Sequence, residues 1–113
     1  MRLESKKCLY DVLQAGKNLR QFTEGKAFSD YQPDAQLRSA TERQFEIIGE
    51  ALRRLSNEDS ATAARISECE RIISFRNILI HGYAEVDDRI VWDVLQTKLP
   101  TLLREVEILL QAK

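Results

Sequence analysis

The sequence predicts an all-α protein: an antiparallel bundle of four long helices, or of five segments if the chain breaks near Pro100. Three observations predict it. Apolar residues recur at spacings of three and four along most of the chain, while sustained alternation and Asn-Gly or Asp-Gly hairpins are absent. Only four Gly and two Pro interrupt the 113 residues. The connectors between periodic stretches are short, which makes successive helices antiparallel neighbours. No internal repeat, linker or low-complexity tract divides the chain, so residues 1–113 read as a single domain.

In the first helix Cys8, Val12, Ala15, Leu19 and Phe22 stack on one face, with Lys6, Lys7, Lys17 and Arg20 mainly off it. Thr23-Glu24-Gly25 is its stop, since Gly accepts the left-handed conformation that closes a helix. Residues 26–34 form a connector, in which Pro33 disfavours helix at Gln32 and suits the first turn of a new one. The second helix runs to about Leu55 on a seam of Leu37, Thr41, Gln44, Ile48, Ala51 and Leu55, widened by Phe45, Ile47 and Leu52. Gly49 lies inside it at a cost of roughly 1 kcal/mol relative to Ala, which the close approach of another backbone would explain. Ser56-Asn57-Glu58-Asp59-Ser60 is a polar break whose serines can cap the next helix. That third helix carries Ile66, Cys69, Ile72, Ile73 and Ile80 and ends at Gly82. Asp87 or Asp88 then caps a helix through Ile90, Val91, Val94 and Leu95. Pro100 either kinks it or opens another helix with Leu102, Leu103, Val106, Leu109 and Leu110.

Composition narrows the function. The chain is 43% hydrophobic and 31% charged, which excludes collagen-like and disordered classes. It has no apolar run near ~20 residues, and no apolar signal core follows the charged opening Met1-Arg2-Leu3-Glu4-Ser5-Lys6-Lys7. The expectation is a soluble, cytoplasmic protein with no membrane partner. Lys+Arg number 17 against Asp+Glu 18, a net charge of -1, so contact with nucleic acid has to be local rather than carried by a broad basic field. Cys8 and Cys69 are too few and too far apart for a disulfide scaffold or zinc module, and read as packing residues. With a single His, no metal site and no cofactor are expected. Acid–base chemistry that needs two imidazoles would take the second from another chain.

Carboxylate pairs for hydrolysis, a Gly-rich phosphate loop and a Ser-His-Asp order are missing. Glu42, Glu46 and Glu50 line one helix face near Arg43, Arg53 and Arg54, the pattern of a solvated, partly paired surface. The exception is Phe75-Arg76-Asn77-Ile78-Leu79-Ile80-His81-Gly82-Tyr83, where groups with chemical capacity surround an apolar run. Asn77 and His81 are four apart and share a helix face. Arg76 and His81 are five apart, about 140° around the axis. Both can serve one cleft only if the helix end distorts or a second molecule completes the site. On residue types alone two readings stay open: a capping histidine with an arginine paired to a core-edge carboxylate, or a catalytic site.

The stretch Arg76 to Tyr83 resembles the Arg-x4-His-x-Tyr motif of HEPN domains, specifically the HepT-like toxins. Leu37-Arg38 with Phe45-Glu46-Ile47-Ile48-Gly49-Glu50-Ala51 resembles that family's second helix, and Val86-Asp87-Asp88-Arg89-Ile90-Val91-Trp92 with Leu99-Pro100 its tail. The resemblance implies a HEPN-like helical bundle that forms a homodimer and acts as a metal-independent endoribonuclease on RNA. It implies the toxin of a type VII-like toxin–antitoxin pair, encoded beside an MntA-like minimal nucleotidyltransferase antitoxin. In such pairs the antitoxin transfers AMP from ATP to the motif tyrosine, here Tyr83, and silences the toxin. Arg76 and His81 are then catalytic, Asn77 supports them, and Tyr83 is the site of AMPylation. The alternative is a non-catalytic HEPN subunit that presents substrate to a nucleotidyltransferase. The complete Arg76, His81 and Tyr83 set favours the enzyme, because a binding subunit has no need of all three.

The residue types suit that chemistry. RNA is cut without metal when its 2′-hydroxyl attacks the adjacent phosphate, leaving a 2′,3′-cyclic phosphate and a 5′-hydroxyl. Imidazole titrates near neutral pH, so His81 suits the proton transfers. Arg76 presents a rigid fork of donors to the pentacoordinate phosphate. Asn77 would orient His81 or hydrogen-bond the phosphate. A two-fold dimer would bring one His81 from each chain as acid and base. AMP on Tyr83 would add bulk and a negative phosphodiester within reach of Arg76, in the place that RNA phosphate requires.

Overall fold

A computed structural model describes residues 1–82 and 86–111. The described residues form helices joined by short connectors and no strand. The elements are α1 (Leu3–Thr23), α2 (Phe28–Tyr31), α3 (Ala35–Glu58), α4 (Ser60–Ala63), α5 (Cys69–His81), α6 (Asp88–Asp93), a π-helical segment (Val94–Lys98) and α7 (Leu99–Gln111). The long helices are α1, α3, α5 and the run from α6 through α7, which agrees with the all-α bundle expected from periodicity.

In α1 the buried stripe is Cys8, Leu9, Val12, Ala15, Gly16 and Leu19. It packs on α3, whose inward face is Leu37, Thr41, Phe45, Ile48, Ala51, Leu52 and Leu55. Gln44, expected on this seam, sits at its edge and accepts from Asn18 Nδ2 at 3.1 Å. Helix α3 also meets α5, and α1 meets α7, whose buried residues include Leu102, Leu103, Val106 and Leu109. These faces merge into one apolar core that also takes in Val91, Leu95 and Leu99.

Four local details differ from the sequence reading. Pro33 does not enter the second helix; Asp34 caps α3, accepting from the Leu37 N–H at 3.0 Å. The 26–34 connector contains a helical turn, α2, closed by Asp30 Oδ2 accepting from the Ala27 N–H at 2.8 Å. Its Tyr31 is fully buried and packs against Trp92, the rings tilted by 39° with 5.1 Å between centroids. The cap in the polar break is Asp59 rather than a serine, and it starts α4. The helix that bears the motif begins only at Cys69, after Glu68 takes a left-handed backbone (φ 58°), so Ile66 is buried outside it. Pro100 opens no gap: it is the second residue of α7, where its missing N–H costs little, and the ladder is eased just before it by the π-helical segment.

Candidate active site

On α5 the buried residues Cys69, Ile72, Phe75 and Leu79 form the stripe that faces the core. Phe75 meets Phe45 of α3 edge to face at 5.4 Å between centroids. That packing sets the rest of the helix. Arg76, one step beyond Phe75 and four beyond Ile72, falls on the margin of the α3–α5 seam. Asn77, Ile78 and His81 fall on the solvent side and are exposed. Gly82 ends the helix, its N–H donating to the Ile78 carbonyl at 2.8 Å.

Arg76 is the most constrained of these side chains, only 21% exposed. Its Nη2 donates to Glu50 Oε2 at 2.7 Å and its Nη1 to Asn77 Oδ1 at 2.8 Å. Its Nε is buried and has no hydrogen-bond partner among the described residues. Beneath it lies Gly49. The close approach expected at that glycine is real: the Arg76 side-chain stem comes nearest, with its backbone Cα just behind.

Arg76 lines a cleft of about 210 Å3 between α1, α3 and α5, together with Asp11, Arg43, Glu46, Glu50, Arg54 and Ile80. His81 lines a different, shallower concavity with Asn77, Ile78 and Gly82. Within one chain the structure therefore joins Arg76 to Asn77, and Asn77 to the concavity of His81. It does not bring Arg76 and His81 into one cleft, which is what a separation of about 140° on a helix dictates. Tyr83 lies outside the described residues. Among the described residues no group of three His, Cys, Asp or Glu side chains could hold a metal ion.

The acidic face of α3 has three separate fates. Glu42 is half-buried, and that burial, then the charges of Asp88 and Glu46, push its carboxyl above the usual range. Glu46 accepts from Arg43 on its own helix at 3.4 Å. Glu50 crosses to α5 and pairs with Arg76. The sequence reading allowed for an arginine paired to a core-edge carboxylate but did not name Glu50, which it placed on a solvated, partly paired face.

The model of the family described as Ribonuclease HepT-like matches residues 12–109. A Methanocaldococcus jannaschii protein named "Putative RNase" is 32% identical over 100 residues, 88% of this chain and 91% of its own. A Caldanaerobacter subterraneus protein with the same name is 34% identical over 103 residues, 91% of each chain. A Thermococcus cleftensis protein named "Probable ribonuclease HepT" is 31% identical over 107 residues, 95% of this chain and 96% of its own. No solved structure is a significant match.

Proposed function

The chain belongs to the HepT-like ribonuclease family, and from that premise we propose that it is a metal-independent endoribonuclease whose site is built on the end of α5. Arg76 stabilises the phosphorane, His81 moves the protons, and Asn77 holds Arg76. The observation that carries this reading is the position of Asn77, which accepts from Arg76 and also lines the concavity of His81. On this reading the surfaces of Arg76 and His81 adjoin at Asn77.

The chemistry balances with these groups alone. One imidazole takes the proton of the attacking 2′-hydroxyl, the new O–P bond forms, and the charge that grows on the phosphate oxygens is met by the guanidinium. A second imidazole gives a proton to the departing 5′-oxygen as its bond to phosphorus breaks. The chain has one His, so the second belongs to another copy. A homodimer with α5 of each chain at the two-fold axis supplies it. Ile78, which lines the concavity of His81, is 57% exposed and offers that face of α5 an apolar side chain suited to such a contact.

The same reading makes the chain the toxin of a pair, paired with a minimal nucleotidyltransferase. Attack of the Tyr83 hydroxyl on the α-phosphorus of ATP would release pyrophosphate and leave AMP on the phenol. The added phosphodiester would compete for Arg76.

The test is cleavage of RNA in EDTA by the wild type, His81→Ala and Arg76→Ala proteins. Cleavage to 2′,3′-cyclic phosphate and 5′-hydroxyl ends by the wild type alone is the expected result. Intact RNA with the wild type refutes the nuclease reading and leaves the substrate-binding subunit. Co-expression with the nucleotidyltransferase should add AMP mass at Tyr83; suppressed toxicity with an unmodified Tyr83 would leave inhibition by binding instead.

A further inference from the structure

Arg76 is held from three directions, and two of the holders lie on α3. A Cβ built on Gly49 would stand 2.1 Å from Arg76 Cβ and 2.6 Å from its Cγ, so only glycine leaves room for the arginine stem to lie against α3. Glu50, the next residue, takes Nη2 at 2.7 Å, while Asn77 takes Nη1 at 2.8 Å. The pair is unlike the other arginine–carboxylate bridges among the described residues. Arg43–Glu46 and Arg71–Glu68 each join residues three apart, with arginines 68% and 82% exposed. Glu50 and Arg76 are 26 residues apart and join two helices whose separation is fixed by the core.

Resting on the reading of Arg76 as the phosphate-stabilising group, we propose that Gly49 and Glu50 are positioning residues for Arg76. Gly49 gives the side chain its floor, and Glu50 fixes the rotation of its guanidinium. An arginine has a long, freely rotating stem, and electrostatic stabilisation of a transition state depends on donors that are already aimed when charge develops. The clamp supplies that aim. It leaves the second N–H of Nη1 and of Nη2 for phosphate, while Nε stays buried against α3. Glu50 itself touches no RNA in this scheme, so its removal acts on kcat rather than on KM.

The experiment compares wild type, Glu50→Ala and Glu50→Gln by RNA cleavage kinetics in EDTA and by the nitrogen-15 NMR signals of the Arg76 guanidinium in the free protein. Glu50→Ala should lower kcat about tenfold or more with little change in KM, and should move the Arg76 signals to those of a freely rotating guanidinium. Glu50→Gln keeps an acceptor oxygen for Nη2 and should recover most of both. An unchanged kcat, an unchanged Arg76 signal, or a loss that Glu50→Gln does not rescue overturns the proposal. If the wild type cuts no RNA, the nuclease reading falls, and the Arg76 signals in Glu50→Ala still decide whether the clamp exists.

Discussion

Ser5 Oγ donates to Asp59 Oδ2 at 2.7 Å, tying the first turn of α1 to the junction of α3 and α4. Asp59 also accepts from the Thr62 N–H at 3.2 Å and the Thr62 hydroxyl at 2.7 Å. These bonds favour the ionised carboxylate, that from Ser5 most, and hold its pKa down at about 2. The folded value is thus below the unfolded one, near 3.8. Asp59 therefore stabilises the fold above about pH 4, and that contribution drains away as pH falls towards about 2. Ser5→Ala should raise the Asp59 pKa towards 3.8, as read by NMR titration. Its melting temperature should lie below the wild type at neutral pH, with the gap narrowing in acid. A gap that widens in acid would contradict this assignment.

Two helix-interior glycines should respond differently to Ala. At Gly49 the new Cβ meets the Cβ and Cγ of Arg76, atoms that cannot swing away without moving α5. At Gly16 it meets the Cδ and Cγ atoms of Leu103, the nearest at 2.3 Å, on the far end of a flexible side chain. Both substitutions gain about 1 kcal/mol of helix propensity. Overpacking of this kind costs about 1–3 kcal/mol. Gly49→Ala should sit at the upper end and Gly16→Ala lower, measured by urea denaturation, and only Gly49→Ala should also lower RNA cleavage. The reverse order of stability would mean that α3 and α5 part more readily than the core packing implies.

Ile78 is on the solvent side of α5, one turn before Gly82, and is 57% exposed. Ile78→Glu removes no buried contact, so the far-UV spectrum and melting temperature should stay near those of the wild type. Sedimentation should find the wild type as a dimer and Ile78→Glu as a monomer, and the monomer should cleave no RNA. An active monomer would dispose of the two-histidine scheme.

Cys8 and Cys69 are both buried free thiols at 3% and 8% exposure. Burial pushes both pKa values up; the charge of Glu58 adds to the rise at Cys8 and that of Glu70 at Cys69. Since the thiolate is the reactive form, a disulfide reagent at neutral pH should modify both far more slowly in the native protein than in urea. Rapid reaction of either in the native state would mark it as more than a packing residue.

Spacing alone was enough to find α1, α3, α5 and α7, because whether a segment can bury one stripe depends only on residues within that segment. The stop at Gly82 was legible for the same reason, as was a cap at Asp87 or Asp88, of which the fold uses Asp87. The short helices were not. In α2 the decisive fact is that Tyr31 packs on Trp92, 61 positions further along the chain. In α4 it is that Asp59 finds both Thr62 and Ser5.

The candidate site divides along the same line. The order Arg76, Asn77, His81, Tyr83 is a property of the chain, and the angle of about 140° between the arginine and the histidine follows from regular helical geometry. That Arg76 lies on Gly49 and is gripped by Glu50, while His81 opens on a separate concavity, depends on the register in which α3 and α5 cross. That register follows from how Phe45, Phe75, Ile72 and Leu79 fill the space between the two helices, a many-body packing result that no local spacing encodes.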